Sequence, residues 1–372
     1  MRIQHTILMI ICLFFTSLSC EKECKTDCDD TVDFDRKEMV TDITTHYILP
    51  AYNTYLNETN SLSNQIDVFV TNPSVSALAN CRDHWQSTIT AWQSIAFLEF
   101  GPAENIGLRS QTNLFPVDTS KIKENINSGN SNLALPSNYV AKGLQSVDYL
   151  LYIPNMPDSN LVAYYENSSS AAAYLKAVAD ELKQNAAKIH TEWQTYQTDF
   201  NENTTNNAQG SAVSDIVNAL SSHYETFVRK GKVGIPLGVF NGFTQTPMPA
   251  HVESYFSEYS NTLLISQMEA MHQFLNGVGI VDNTERMSLN DYADFVEAKK
   301  DNQKLSAAIN SQIATIIDQV KSLEMPLQQA VIDQPETCKT LYESMQKLVP
   351  LLKVDLTSAL GVLITYQDND GD

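Results

Sequence analysis

From residue 37 onward, apolar residues recur at alternating steps of three and four, the period of one helical face. One stripe runs Leu78, Cys81, Trp85, Thr88, Trp92, Ile95 and Glu99 and predicts a long helix with both tryptophans on one side. Asn72-Pro73-Ser74 just ahead of it predicts the cap and first turn. Other stripes pass through Leu175, Leu182 and Trp193, through Val213, Leu220 and Phe227, and through Leu305, Ile313 and Val320. A last one, Leu341 to Leu363, should bend at Pro350, as the first helix should at Pro50. The pattern predicts an all-α fold of helical bundles, the aromatic residues serving as packing between antiparallel helices.

Three stretches break the period. Residues 201–211 are almost wholly polar and mark the expected boundary between two bundle domains, 37–205 and 206–372. Residues 101–136 and 231–249 carry the glycines and prolines of two long loops. Loops of that length inside a compact domain are usually functional or part of an interface.

The first residues read differently. Arg2 precedes an apolar run, Ile7 to Phe15, too short to span a bilayer, and Ser17-Leu18-Ser19-Cys20 follows. This resembles a bacterial lipoprotein signal, with residues 1–19 removed and Cys20 lipidated; an ordinary secretory signal is the other reading. Residues 20–36 form an acidic tether. Cys24, Cys28, Cys81 and Cys338 then remain, and three pairings are open to them.

Composition narrows the function. Only 13 glycines disfavour a turn-rich β architecture. With 44 acidic against 24 basic residues the net charge is −20, which argues against nucleic acid and against electrostatic docking on anionic lipid. His-Glu-x-x-His, a glycine-rich phosphate loop and a Gly-x-Ser-x-Gly elbow are all missing from the sequence. The seven histidines are scattered, His84 and His272 reading as surface or half-buried residues, and His251 with Glu253 forms only a weak pair. Asp368-x-Asp370-Gly371-Asp372 starts like a calcium loop without its downstream Glu.

Several segments in order resemble the imelysin-like proteins: Trp85-x6-Trp92 running into Glu99-Phe100-Gly101-Pro102, Phe115-Pro116-Val117-Asp118, Gly143 to Leu151, Phe227 to Gly238, and Val252 to Ser257. The resemblance implies an all-α fold of two bundle domains with a site where they meet. It also implies a bacterial envelope protein, often a lipoprotein associated with iron uptake, some members being described as peptidases. The family motif Gly-x-His-x-x-Glu falls on Gly143, Gln145 and Asp148. On a helix the second and third of these share a face. Here the imidazole has become an amide, which cannot act as a base near neutral pH and suits zinc or iron poorly.

The ligand site is therefore expected at Gly143, Gln145 and Asp148, with Asp118, Arg229 and Lys230 nearby; Arg229, Lys230 and Lys232 beside their loop would either receive an anionic or carboxylate ligand or neutralise an acid such as Asp148. Asp148 is the candidate ligand for a metal ion, iron or calcium. A binding protein for an iron-linked ligand or an envelope partner protein, held to the membrane by its lipid anchor, is the leading reading. A metallopeptidase and a non-catalytic structural subunit of an uptake system are the others.

Overall fold

The computed structural model describes residues 33–129 and 132–367. Cys20, Cys24, Cys28 and the acidic end at residues 368–372 lie outside the described residues. The secondary structure of those described is helical, with turns between, apart from one small antiparallel ribbon, Lys299–Lys300 with Gln303–Lys304, and an isolated bridge between Val278 and Glu285. The all-α expectation holds.

Serines cap three of the longer helices, and of these the sequence pointed to Ser74. Ser74 accepts from the Ala77 N–H at 3.2 Å and opens Val75–Gln93. Ser168 opens the 34-residue helix Ser169–Glu202, and Ser211 opens Ala212–His223. Each supplies an oxygen to a backbone donor that the first turn cannot satisfy itself.

Pro50 sits in the first turn of Leu49–Thr71, just after a π-helical turn, Ile43–Ile48. A proline gives no N–H to the carbonyl four residues back. That carbonyl, of His46, accepts instead from the Ile280 N–H at 3.0 Å. At Pro350 the α-helix Pro335–Pro350 likewise gives way to π-helical Leu351–Leu356.

Leu49–Thr71 packs along Ser169–Glu202 and Val75–Gln93. Trp85, Trp92 and Trp193 fill this region and are all buried. Ser260–Leu275, Leu305–Lys321 and Pro335–Pro350 form a second layer. The two groups meet where Val75–Gln93 lies against Ser260–Leu275. Tyr47 and Phe97 both set their rings against Phe274, at 5.0 and 5.1 Å between centroids.

The expected boundary between residues 205 and 206 is not confirmed. The chain from Asp35 onward makes one compact unit. Residues 201–211 are tied down: Asn207 donates to the Tyr292 hydroxyl at 2.9 Å and to the Leu360 carbonyl at 2.5 Å. The run is polar because most of it faces solvent, with Asn207 as its anchor. In the loop expected at 231–249, helical turns run on to Gly234 in π geometry, as Tyr224–Gly234. Gly234 allows this by close approach, since a Cβ there would stand 2.6 Å from the Phe240 ring.

Candidate functional site

The helix Gly143–Leu151 is buried along its whole length. Gly143 opens it at φ +77°, and a Cβ there would collide with the Thr112 carbonyl, so only glycine fits. Gln145 and Asp148 share the face turned toward residues 253–257. Gln145 accepts from the Ser254 N–H at 2.8 Å and donates to Asn113 Oδ1 at 2.8 Å. The two carboxylate oxygens of Asp148 accept from the N–H groups of Phe256 and Ser257 at 3.0 and 3.1 Å. Ser254 itself is left-handed at φ +55°. The motif positions thus clamp a tight turn by its backbone. Burial pushes the Asp148 carboxyl up to about 7, against the pull of its bonds to Ser257 and Phe256.

The turn presents Glu253, which is buried and paired with Lys232. Glu253 also accepts from Asn113 at 2.7 Å and Gln93 at 3.2 Å, while Lys232 donates to Gln93 at 2.8 Å. Burial lowers the Lys232 pKa, and the Glu253 charge opposes that shift. From Gln93 the network continues through Gln267 to His223 and Arg109. Burial first, and then the Arg109 charge, hold His223 well below the usual imidazole value. A neutral His223 must accept from Arg109 through Nδ1, at 2.9 Å, so its proton sits on Nε2 and is donated to Gln267 at 3.1 Å. Arg109 also binds Glu99 and the Ala96 carbonyl, and stacks 3.9 Å above the Phe227 ring.

Two cavities flank this polar seam. One of about 180 Å³ is walled by Phe115, Pro116, Gln145, Val252, Tyr255 and Phe256. The other, of about 480 Å³, is walled by Glu99, Glu104, Arg109, Leu114, His223 and Phe227. A void of about 20 Å³ lies between, sharing Phe115 with the first and Arg109, His223 and Phe227 with the second.

Of the residues expected from sequence, Gly143, Gln145 and Asp148 come together. Asp118 does not join them: it is exposed and caps Thr119–Ser128 through the Lys121 N–H at 2.9 Å. Arg229 turns the other way, donating to Tyr342 at 2.8 Å and Gln346 at 2.6 Å, and Lys230 lies over the Phe240 ring. The cation that reaches the site is Lys232, and its acid is Glu253 rather than Asp148. The tertiary partners Gln93, Asn113, His223 and Gln267 carry no signature along the chain; Glu253 stood in a recognisable segment but beside an uninformative His251.

Cys81 and Cys338 are free and buried, so they form no disulfide with each other; burial pushes their thiols up to about 12 and 11. The residues do not fit a transition-metal centre. Asp148 already accepts two amides and Glu253 holds Lys232. Among the described residues no group of three or more His, Cys, Asp or Glu is placed to hold a metal ion.

The architecture matches solved structures at low sequence identity. A provisionally assigned iron-regulated protein A precursor from Parabacteroides distasonis superposes with a TM-score of 0.72 at 17% identity, over 87% of this chain and 95% of that one. An imelysin-like protein from Psychrobacter arcticum gives 0.69 at 16% identity, over 89% and 97%. No curated protein gives a significant sequence match. The family model for imelysin (peptidase M75) matches residues 48–354, and with Gly143, Gln145 and Asp148 standing at the family motif, the chain belongs to the imelysin family.

Proposed function

We propose that this imelysin-family chain is a binding protein of the bacterial cell envelope, serving iron uptake, and not a peptidase. One observation carries the reading: Gln145 is engaged by the Ser254 N–H and by Asn113, and Asp148 by the N–H groups of Phe256 and Ser257. They act as supports. Through Glu253 and the amides of Gln93 and Gln267 they fix Arg109 and His223 in the wall of the larger cavity. At about 480 Å³, that cavity lies within the usual range for small-molecule sites, about 300–1,000 Å³. The likeness to a protein assigned as iron-regulated supports an iron-linked ligand. Envelope location and the lipid on Cys20 belong to the same proposal.

The test uses ferric citrate and haemin as probes. One of them should raise the melting temperature saturably. Phe227→Ala should weaken that binding about tenfold or more, since it removes the ring beneath Arg109. Chelator-sensitive cleavage of casein by the purified chain, lost in Asp148→Ala, would replace this reading with the peptidase one.

A further inference from the structure

A second pocket, of about 340 Å³, lies away from the polar seam, where Leu289–Phe295 meets Ser260–Leu275 and Leu305–Lys321. Three asparagines form part of its wall. Asn276 and Asn310 exchange amide hydrogen bonds at 3.0 and 2.9 Å, and Asn290 donates to Asn276 at 2.9 Å and to Asn310 at 3.3 Å. Asn290 is only 5% exposed, and its side-chain oxygen is buried with no hydrogen-bond partner in the protein. An orphaned acceptor of that kind costs about 1–3 kcal/mol unless something donates to it.

The donors around it are turned inward. The amide of Asn276 also serves the His272 carbonyl at 2.7 Å. The Ser288 and Ser306 hydroxyls donate to Asp291 and Asp294, each at 2.6 Å. Arg286 is held by Asp282 at 2.6 Å and by the Thr284 carbonyl at 3.0 Å. Apart from one Asn310 N–H and the remaining guanidinium N–H groups of Arg286, the capacity left over is acceptor capacity: Asn290 Oδ1 and the carboxylates of Glu285, Asp291 and Asp294, of which Asp294 also meets Lys304 at 2.7 Å. A pocket lined by three carboxylates and one already paired guanidinium favours a ligand that is both cationic and a donor. Direct metal coordination is not offered, because no three metal-ligating side chains converge among the described residues.

We infer that this pocket binds a small organic cation through a primary ammonium group, which donates to Asn290 and to the carboxylates at the rim. The ammonium supplies three donors and a charge, where a neutral hydroxyl supplies one donor and none.

Isothermal titration with 1,5-diaminopentane, and with pentane-1,5-diol as its neutral counterpart, tests this on the whole chain. The diamine should bind one to one, more weakly at high salt, and the diol should not bind. The rim variants Asp291→Asn and Glu285→Gln, at exposed positions, should each weaken the diamine about tenfold or more, whereas Glu336→Gln, a distant exposed acid, should leave it unchanged. A melting curve on each variant confirms folding. Equal loss in Glu336→Gln would mean diffuse attraction to an acidic surface and overturn the site. Binding of the diol or of Ca²⁺ in preference to the diamine would overturn the ligand class.

Discussion

Asp148 holds two backbone amides with one side chain, and its charge is costly where it sits. Its folded value of about 7 lies above the ordinary carboxylate value of 3.8, so the folded chain keeps a proton that the unfolded chain has lost. The stabilisation from this group is complete below about pH 4 and disappears as pH rises through about 7. His223 works in the opposite sense: its depressed value gives stability above the ordinary imidazole pKa of 6.5 that is lost as pH falls. Urea titrations from pH 4 to 8 on the wild type and Asp148→Asn separate the two, because only the wild type should carry the falling component. At pH 4 Asp148→Asn should be less stable, by about 1–3 kcal/mol, since its NH₂ would face the Phe256 or Ser257 N–H without accepting from it, and the gap should narrow as pH rises through about 7. Equal pH profiles would show that Asp148 titrates normally. Gly143, Gln145 and Asp148 were legible in the sequence because the family resemblance marks their positions, and a helix brings the last two to one face. Glu253, His223 and Gln93 were not, since their meeting depends on helices far apart in the chain.

The segment Tyr224–Gly234 shows how glycine can mislead at the level of an element. Gly231 and Gly234 read as the start of a loop, yet both lie in continuous helical turns. They are not equivalent. A Cβ at Gly231 meets the Thr226 carbonyl only at 3.4 Å, whereas one at Gly234 stands 2.6 Å from Phe240 and 2.9 Å from Tyr342. Gly231→Ala should change stability by less than about 1 kcal/mol, and Gly234→Ala should cost about 1–3 kcal/mol by overpacking. Thermal unfolding of the two variants checks the contrast; similar midpoints would refute it. The cap at Ser74, by comparison, was readable in advance because capping depends on a few adjacent residues. Whether a glycine ends a helix or admits a neighbouring ring depends on what lies across from it.

At the scale of the whole molecule, the residues from Asp35 onward form one unit despite the polar run at 201–211. Helix content and tryptophan fluorescence should therefore be lost together at one urea midpoint. Two separated transitions would support the boundary that the polar run suggested.

The proline near the start of the chain has a bearing on synthesis. Pro50 gives the His46 carbonyl no N–H, and the donor that carbonyl meets in the folded chain belongs to Ile280, translated much later. Until Ile280 has been made that bond cannot form, so this stretch reaches its final hydrogen bonding only late in synthesis. A chain stopped short of Ile280 should therefore be cut more readily by proteases around His46 than the whole chain.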